Sequence, residues 1–213
     1  LDVDHVSACA LGVHANTPLG RAVAAGLVPP PDDDVQRERY DEARMVLSAA
    51  GYVQYEVANF ARGDRERSRH NVLYWRHGSY LGVGVGAHGH EDGRRWWTTR
   101  STERYLAALA PGAAPERDRN GRTVEIVEEE VLDDDARALE RLLLGLRLRE
   151  GLHPRDLPPL DPAAVEDAVA AGLVTGSCGR LQATEDGWFL LDEAVGRLLG
   201  DGPAGGRAAP RGR

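Results

Sequence analysis

Residues 55–90, YEVANFARGDRERSRHNVLYWRHGSYLGVGVGAHGH, hold four of the seven histidines and are the stretch best equipped for chemistry. His70-Asn71-Val72-Leu73-Tyr74-Trp75 puts an imidazole, an amide and two amphipathic aromatics within six residues. A neutral imidazole ligates metals, and Tyr and Trp each offer an apolar face with one hydrogen-bonding tip, so the set suits a flat, partly polar ligand. In Gly82-Val83-Gly84-Val85-Gly86-Ala87-His88-Gly89, glycine and valine then alternate at the strand period. That alternation predicts a strand with Val83 and Val85 on one side. Its glycines would admit a second backbone or a ligand, because no Cβ holds it off. No helix pattern follows His90, so the run is not a dinucleotide fingerprint. A packed strand and an aromatic core pair are the plainer readings of the same residues; the concentration of imidazoles favours a site.

Three ordered stretches carry a resemblance: Tyr55-Glu56-Val57-Ala58-Asn59-Phe60-Ala61, then His70-Asn71-x-x-Tyr74-Trp75, then Tyr80-x-Gly82-x-Gly84-x-Gly86-Ala87-His88. Together they resemble the radical-SAM heme chaperone HemW family, related to oxygen-independent coproporphyrinogen III oxidase. The likeness runs from residue 2 to residue 199 and weakens between 111 and 131. It implies heme binding at His70, Asn71, Tyr74 and Trp75, with His70 on the iron. It also implies contact with S-adenosyl-L-methionine at Gly12, Gly86, Ala87 and His88, although Cys9 and His14 depart from the family's residues around Gly12. Full-length relatives hold a [4Fe-4S] cluster on a C-x-x-x-C-x-x-C loop. The two cysteines here, Cys9 and Cys178, cannot build one, so these residues are expected to supply no radical-SAM activity and no catalytic residue.

The implied function is a heme-binding, chaperone-like role with a heme-acceptor protein as partner, in a truncated member of the family. A fragment of an anaerobic coproporphyrinogen III oxidase-type enzyme of porphyrin biosynthesis, or a non-catalytic interaction remnant, are the alternatives. The same imidazoles admit another reading, a zinc hydrolase using His70, His77, His88 and His90 with Glu56 or Asp92 as base. His88-x-His90 would share one strand face, but no H-E-x-x-H or ordered three-ligand spacing supports this.

Composition prunes the remaining classes. The 213 residues are 42% hydrophobic and 28% charged, enough for one large or two small domains with a core. Net charge is -8, and no basic stripe interleaves with aromatics, so nucleic acid is not an expected partner. Two cysteines argue for a reducing compartment, and no apolar run is long enough to span a bilayer, so a cytoplasmic setting is expected. Lysine is absent, which excludes Schiff-base mechanisms.

The elements that would position these residues follow from pattern. Residues 3–13, VDHVSACALGV, read as a strand buried on both faces of a parallel sheet. Such a strand needs neighbours on both sides, and these are expected to lie outside this chain. Residues 14–31 read as a loop with room for a short helix. Asp32-Asp33-Asp34 opens a helix with an apolar stripe at Val35, Ala43, Val46, Leu47 and Ala50, and Tyr52 to Val57 the next strand, making residues 3–57 a βαβ unit. Residues 62–69 read as a solvated loop, Glu91 to Thr99 as part of a hairpin turning at Gly93, and Ser101 as the cap of a short helix. Asp133 opens a helix with Leu139, Leu142, Leu143 and Leu146 inward; Asp161-Pro162 opens a second; a hairpin turns at residues 176–179; Thr184 caps a last helix to Leu199. The expected fold is therefore α/β: the C-terminal part of a radical-SAM partial (βα) barrel in residues 1–110, a charged insertion or linker in 111–131, a winged-helix-like α+β domain in 132–200, and a disordered tail in 201–213. The helix after Asp161 carries Glu166 and Asp167 and no arginine, so it would repel phosphate rather than read DNA.

Overall fold

The computed structural model describes residues 2–110, 126–177 and 179–200. Cys178, the tail and most of the 111–131 segment therefore lie outside the described residues. In the first sheet β3 (Asn59–Ala61) sits between β1 (His5–Ser7) and β2 (Val53–Gln54), antiparallel to both. The expected βαβ unit is corrected accordingly. β1 and β2 run in the same direction, but the chain turns back after Glu56 and β3 takes the hydrogen bonds a parallel neighbour would have made. The 3–13 run yields three strand residues, not a long buried strand.

Between the two strands, α1 (Pro18–Ala24) follows its Thr17 cap, and α2 (Asp33–Ala49) follows Asp32, whose carboxylate accepts from Val35 N at 3.0 Å. The sheet-facing side of α2 is polar. Tyr40 donates to Val57 O, Gln54 Nε2 donates to the Tyr40 hydroxyl at 2.6 Å, and Arg44 Nε donates to Gln54 Oε1 at 3.0 Å. The apolar stripe points elsewhere: Val46 is exposed, while Val35 and Ala43 border an open groove of about 430 Å³ beside Leu11 and Leu19.

Residues 55–90 contain a helix that their composition did not announce. Ser68 caps α3 (Arg69–Trp75) by accepting from Asn71 N at 3.2 Å. The Gly-Val alternation is not a strand either. Residues 81–87 are irregular, Gly84 and Gly86 have φ of 106° and 64°, and Val83 is 89% exposed. The expected close backbone approach does occur, at Gly82, where a Cβ would lie 2.1 Å from His88 O.

The hairpin appears as expected, β4 (His88–Glu91) and β5 (Arg94–Thr98) joined at Asp92-Gly93, both with positive φ. Beyond α4 (Thr102–Ala108), capped by Ser101, the end of the charged segment is a third strand, β6 (Ile126–Val131), antiparallel to β5. Opposite charges across the ladder support this pairing: Arg94 Nε meets Glu129 at 2.6 Å and Arg95 Nη2 meets Glu130 at 2.7 Å.

The last part packs α5 (Asp134–Gly145), α6 (Pro162–Ala170), the β7 (Val174–Ser177) and β8 (Arg180–Ala183) hairpin, α7 (Glu185–Phe189) and α8 (Leu191–Leu198) round one core of Leu142, Leu146, Leu173, Leu181, Val195 and Leu198. The expected single last helix is broken at Leu190, where ψ is 40°. The break lets Trp188 turn inward and donate from Nε1 to Leu146 O at 2.9 Å. This part is stitched to the first sheet by main chain: Val57 N donates to Arg147 O at 3.1 Å and Arg149 N to Tyr55 O at 3.0 Å.

Candidate functional site

Helix α3 carries the H-N-x-x-Y-W residues, and seven residues at 100° each cannot put all four on one face. His70 and Tyr74, one turn apart, share a face. Their rings meet edge-on at 4.6 Å, and the His70 ring is exposed. Tyr74 meets Tyr80 edge-on at 4.4 Å, Tyr80 lies 6.0 Å from His90, and His90 lies 4.4 Å from His77. A column of five rings thus runs from an exposed imidazole to a buried one. His90 is 5% exposed; its Nδ1 is 3.0 Å from Gly78 O and, facing a carbonyl, must carry the proton, while Nε2 is buried without a partner.

The column ends on a charged clamp. His77 Nε2 lies 3.1 Å from Glu140 Oε2, and Arg95 binds the other oxygen of the same carboxylate. The His77 contact first, then Arg95, holds the Glu140 carboxyl below the usual carboxylate range despite its partial burial. Elements from three parts of the chain, the turn after α3, β5 and α5, meet at this one side chain.

Trp75 points away from His70. Its Nε1 donates to Glu56 Oε2 at 2.9 Å, and the Arg147 guanidinium stands 5.4 Å from its ring centroid. Glu56 is wholly buried and also accepts from Ala58 N at 3.2 Å. Burial pushes its carboxyl above the usual range, outweighing the bonds from Asn59, Ala58 and Trp75 that favour the ion. Because the folded-state pKa is raised, the native state holds the proton longer than the unfolded chain, whose glutamates titrate near about 4.3. Stability is therefore expected to fall as pH rises from there through the folded value. Glu56→Gln should flatten that decline, as urea unfolding across a pH series would register; an unchanged slope would mean that Glu56 is not the group responsible.

The residues matched to S-adenosylmethionine contacts are separately placed. Gly12 is in the exposed stretch after β1; Gly86 and Ala87 form a turn in which Ala87 N donates to Thr98 Oγ1 at 3.0 Å; His88, exposed on β4, stacks on Trp97 at 5.6 Å. Among the described residues no three His, Cys, Asp or Glu side chains come together to hold a metal ion, so the four-histidine zinc centre does not form.

Comparison with known proteins gives these placements a context. Residues 132–190 match the family model of the HemN C-terminal domain. Over 198 residues the chain is 40% identical to the heme chaperone HemW of Mycobacterium tuberculosis (strain ATCC 25618 / H37Rv), covering 93% of this chain and 48% of that protein. The chain belongs to the HemW and HemN-related family. HemW of Bacillus subtilis is 31% identical over 94% of this chain and 52% of its own length. Across an 86-residue stretch, 40% of this chain and 19% of that protein, identity reaches 50% with the mitochondrial radical S-adenosyl methionine domain-containing protein 1 of Bos taurus. The fold matches that of Escherichia coli coproporphyrinogen III oxidase (HemN), a radical SAM enzyme, with a TM-score of 0.62 at 16% identity over 92% of this chain and 48% of that one. The chain spans about half the length of the curated relatives it matches.

Family membership raises three cofactors, and the residues present fit them unequally. A [4Fe-4S] cluster needs three thiolates; the 213 residues hold two cysteines, and Cys9 is exposed with a free thiol. These residues do not fit the cluster. At the Gly86-Ala87 turn the Ala87 amide is already bonded by Thr98, whose hydroxyl also donates to Gly84 O at 2.7 Å, so that backbone donor is occupied within the protein. His70 fits heme iron: an exposed imidazole, braced by an aromatic edge, on a capped helix. Sequence patterning missed Glu140, Arg95 and Arg147, which lie in segments that read as core helix and hairpin and meet the site only through tertiary packing.

Proposed function

We propose that the chain handles heme, taking it up at the His70 and Tyr74 face of α3 and passing it to an acceptor protein, in a cytoplasmic setting. The observation that carries this reading is the exposed His70 ring held edge-on by Tyr74, with the Tyr80 and His90 rings next in the series. A ligating histidine works best when its neighbours fix its orientation, and this column supplies that. The names of the HemW relatives support the same function. When bound, heme supplies an iron with an open coordination position. The protein's part is an imidazole for that iron and aromatic edges for the porphyrin. Trp75, bonded to Glu56 on the other flank, then acts by fixing α3 and not by touching the porphyrin, while Asn71 stays a candidate contact beside His70. In full-length relatives S-adenosylmethionine would lie toward Gly12, Gly86, Ala87 and His88, and a cluster would be held elsewhere.

The test is a heme titration of the chain and its His70→Ala variant, read by the Soret band. His70→Ala is expected to lose the histidine-ligated spectrum and at least about tenfold in affinity. His88→Ala, on β4 against Trp97, should match the parent. A parental spectrum and affinity in His70→Ala would refute the assignment.

A further inference from the structure

Beside α3, on the flank away from His70, lies a half-open cleft of about 590 Å³ between Trp75, the end of α5 and the β8 strand. Its size is within the range of small-molecule sites, about 300 to 1,000 Å³. We infer that this cleft is a second binding site, for a flat apolar molecule bearing two or more carboxylate or phosphate groups.

Part of the lining is apolar and held in place. Leu148 and Leu152 form it with Trp75, whose ring is immobilised by its bond to Glu56 and by Arg147. Four guanidiniums line the rest, those of Arg76, Arg141, Arg155 and Arg180, against the two carboxylates of Glu150 and Asp156. Four minus two leaves a local charge of about +2 on a chain whose net charge is -8, so this concavity favours an anion against the background of the whole chain.

The four arginines divide by what already holds them. Arg180 donates from Nε to Glu150 O and from Nη2 to Gly151 O, each at 2.7 Å, which locks it into the wall. Arg76 pairs with Glu150 at 2.8 Å. Arg155 is mostly exposed and only 3.8 Å from Asp156, too far for a hydrogen bond. Arg141 has no hydrogen bond or ion pair among the described residues, and it is exposed. Two cations with unspent donors among the described residues, in one cleft with the indole of Trp75, are suited to two oxyanions on one flat body, since the guanidinium fork takes either carboxylate or phosphate in pairs.

The site goes beyond the heme reading and does not depend on iron. Trp75 follows His70 by five residues, about 140° round the helix, so one porphyrin cannot put its metal on His70 while lying in this cleft.

The experiment titrates the full chain with metal-free protoporphyrin IX, with its dimethyl ester and with ADP, by porphyrin fluorescence and by displacement. The free acid is expected to bind and the ester to bind about 10- to 100-fold more weakly, the loss of hydrogen bonds to charged groups. Arg141→Glu combined with Arg155→Glu should cost the free acid a similar factor, and Arg141→Gln with Arg155→Gln a smaller one. Both positions are exposed, so the far-ultraviolet circular dichroism should not change. His70→Ala should keep free-acid affinity even where it alters the heme spectrum, which separates this site from the iron site. Displacement by ADP, or ADP binding without porphyrin binding, would support the site and assign it to phosphate. Equal affinity for acid and ester, an unchanged affinity in the arginine variants, loss of free-acid binding in His70→Ala, or no binding of either anion would each overturn it.

Discussion

Trp75→Ala is expected to destabilise the chain by about 3 kcal/mol or more, lowering the melting temperature by roughly 6 to 12 °C for a chain of this size. The indole joins two groups that are costly to bury. Glu56 is wholly buried and receives the indole N–H at 2.9 Å; Arg147, whose pKa burial pulls below its ordinary value, stands over the ring face. Removing the indole opens a void, takes a donor from Glu56 and uncovers the apolar contact of Arg147. Trp75→Phe narrows these effects, because it keeps one aromatic ring under the guanidinium and loses the donor together with the smaller part of the bulk; about 1 to 3 kcal/mol of the loss should remain. Combined with Glu56→Gln, it should give a coupling energy of at least about 0.5 kcal/mol, the mark of residues in one network. Urea unfolding decides the matter: a Trp75→Ala loss below about 1 kcal/mol would mean that the indole merely rests on the surface.

That result would bear on how the H-N-x-x-Y-W pattern is read. As a string it looks like one ligand-binding set. As a capped helix it splits into a His70 and Tyr74 face open to a ligand and a Trp75 flank bound to a buried carboxylate. Spacing alone could have said so had the helix been recognised. The obstacle was composition: RGDRERSR before it and the glycines after it look like loop, and one serine cap at Ser68 decides the conformation.

Local signals were the legible ones. The side chains of Asp32, Ser101, Asp133, Asp161 and Thr184 each accept a bond from an amide two or three residues on, as the sequence indicated, because a cap is settled within one turn. The Asp92-Gly93 turn was legible for the same reason. Pairing was not. Whether β1 has a parallel or an antiparallel neighbour depends on where residues 59–61 insert, and nothing inside VDHVSACALGV records it. The clamp on Glu140 was invisible for a like reason, since its His77 partner is 63 residues away.

Gly82→Ala is the substitution for which the glycine-rich run makes its sharpest claim. A methyl at Gly82 would stand 2.1 Å from His88 O, 2.6 Å from His88 C and 2.9 Å from His88 N, all backbone atoms of a paired strand that cannot swing aside as a side chain can. Either β4 loses its register with β5 or the Tyr80 to His90 bridge opens, and that bridge supports the ring column behind His70. A cost of about 3 kcal/mol or more is expected, at the upper end of overpacking. Gly84→Ala is the matched control. Its Cβ would meet nothing within 4 Å, but its φ of 106° is one that side chains rarely adopt, so it should lose only about 1 to 2 kcal/mol through backbone strain. The two variants add the same methyl group two residues apart, and their difference isolates contact from conformation. Heme titration of the same pair adds a readout, because opening the Tyr80–His90 bridge should disturb the His70 spectrum in Gly82→Ala and leave it unchanged in Gly84→Ala. Equal stability losses in the two would show that the backbone of β4 is free to yield, and that the close approach at Gly82 holds nothing in place.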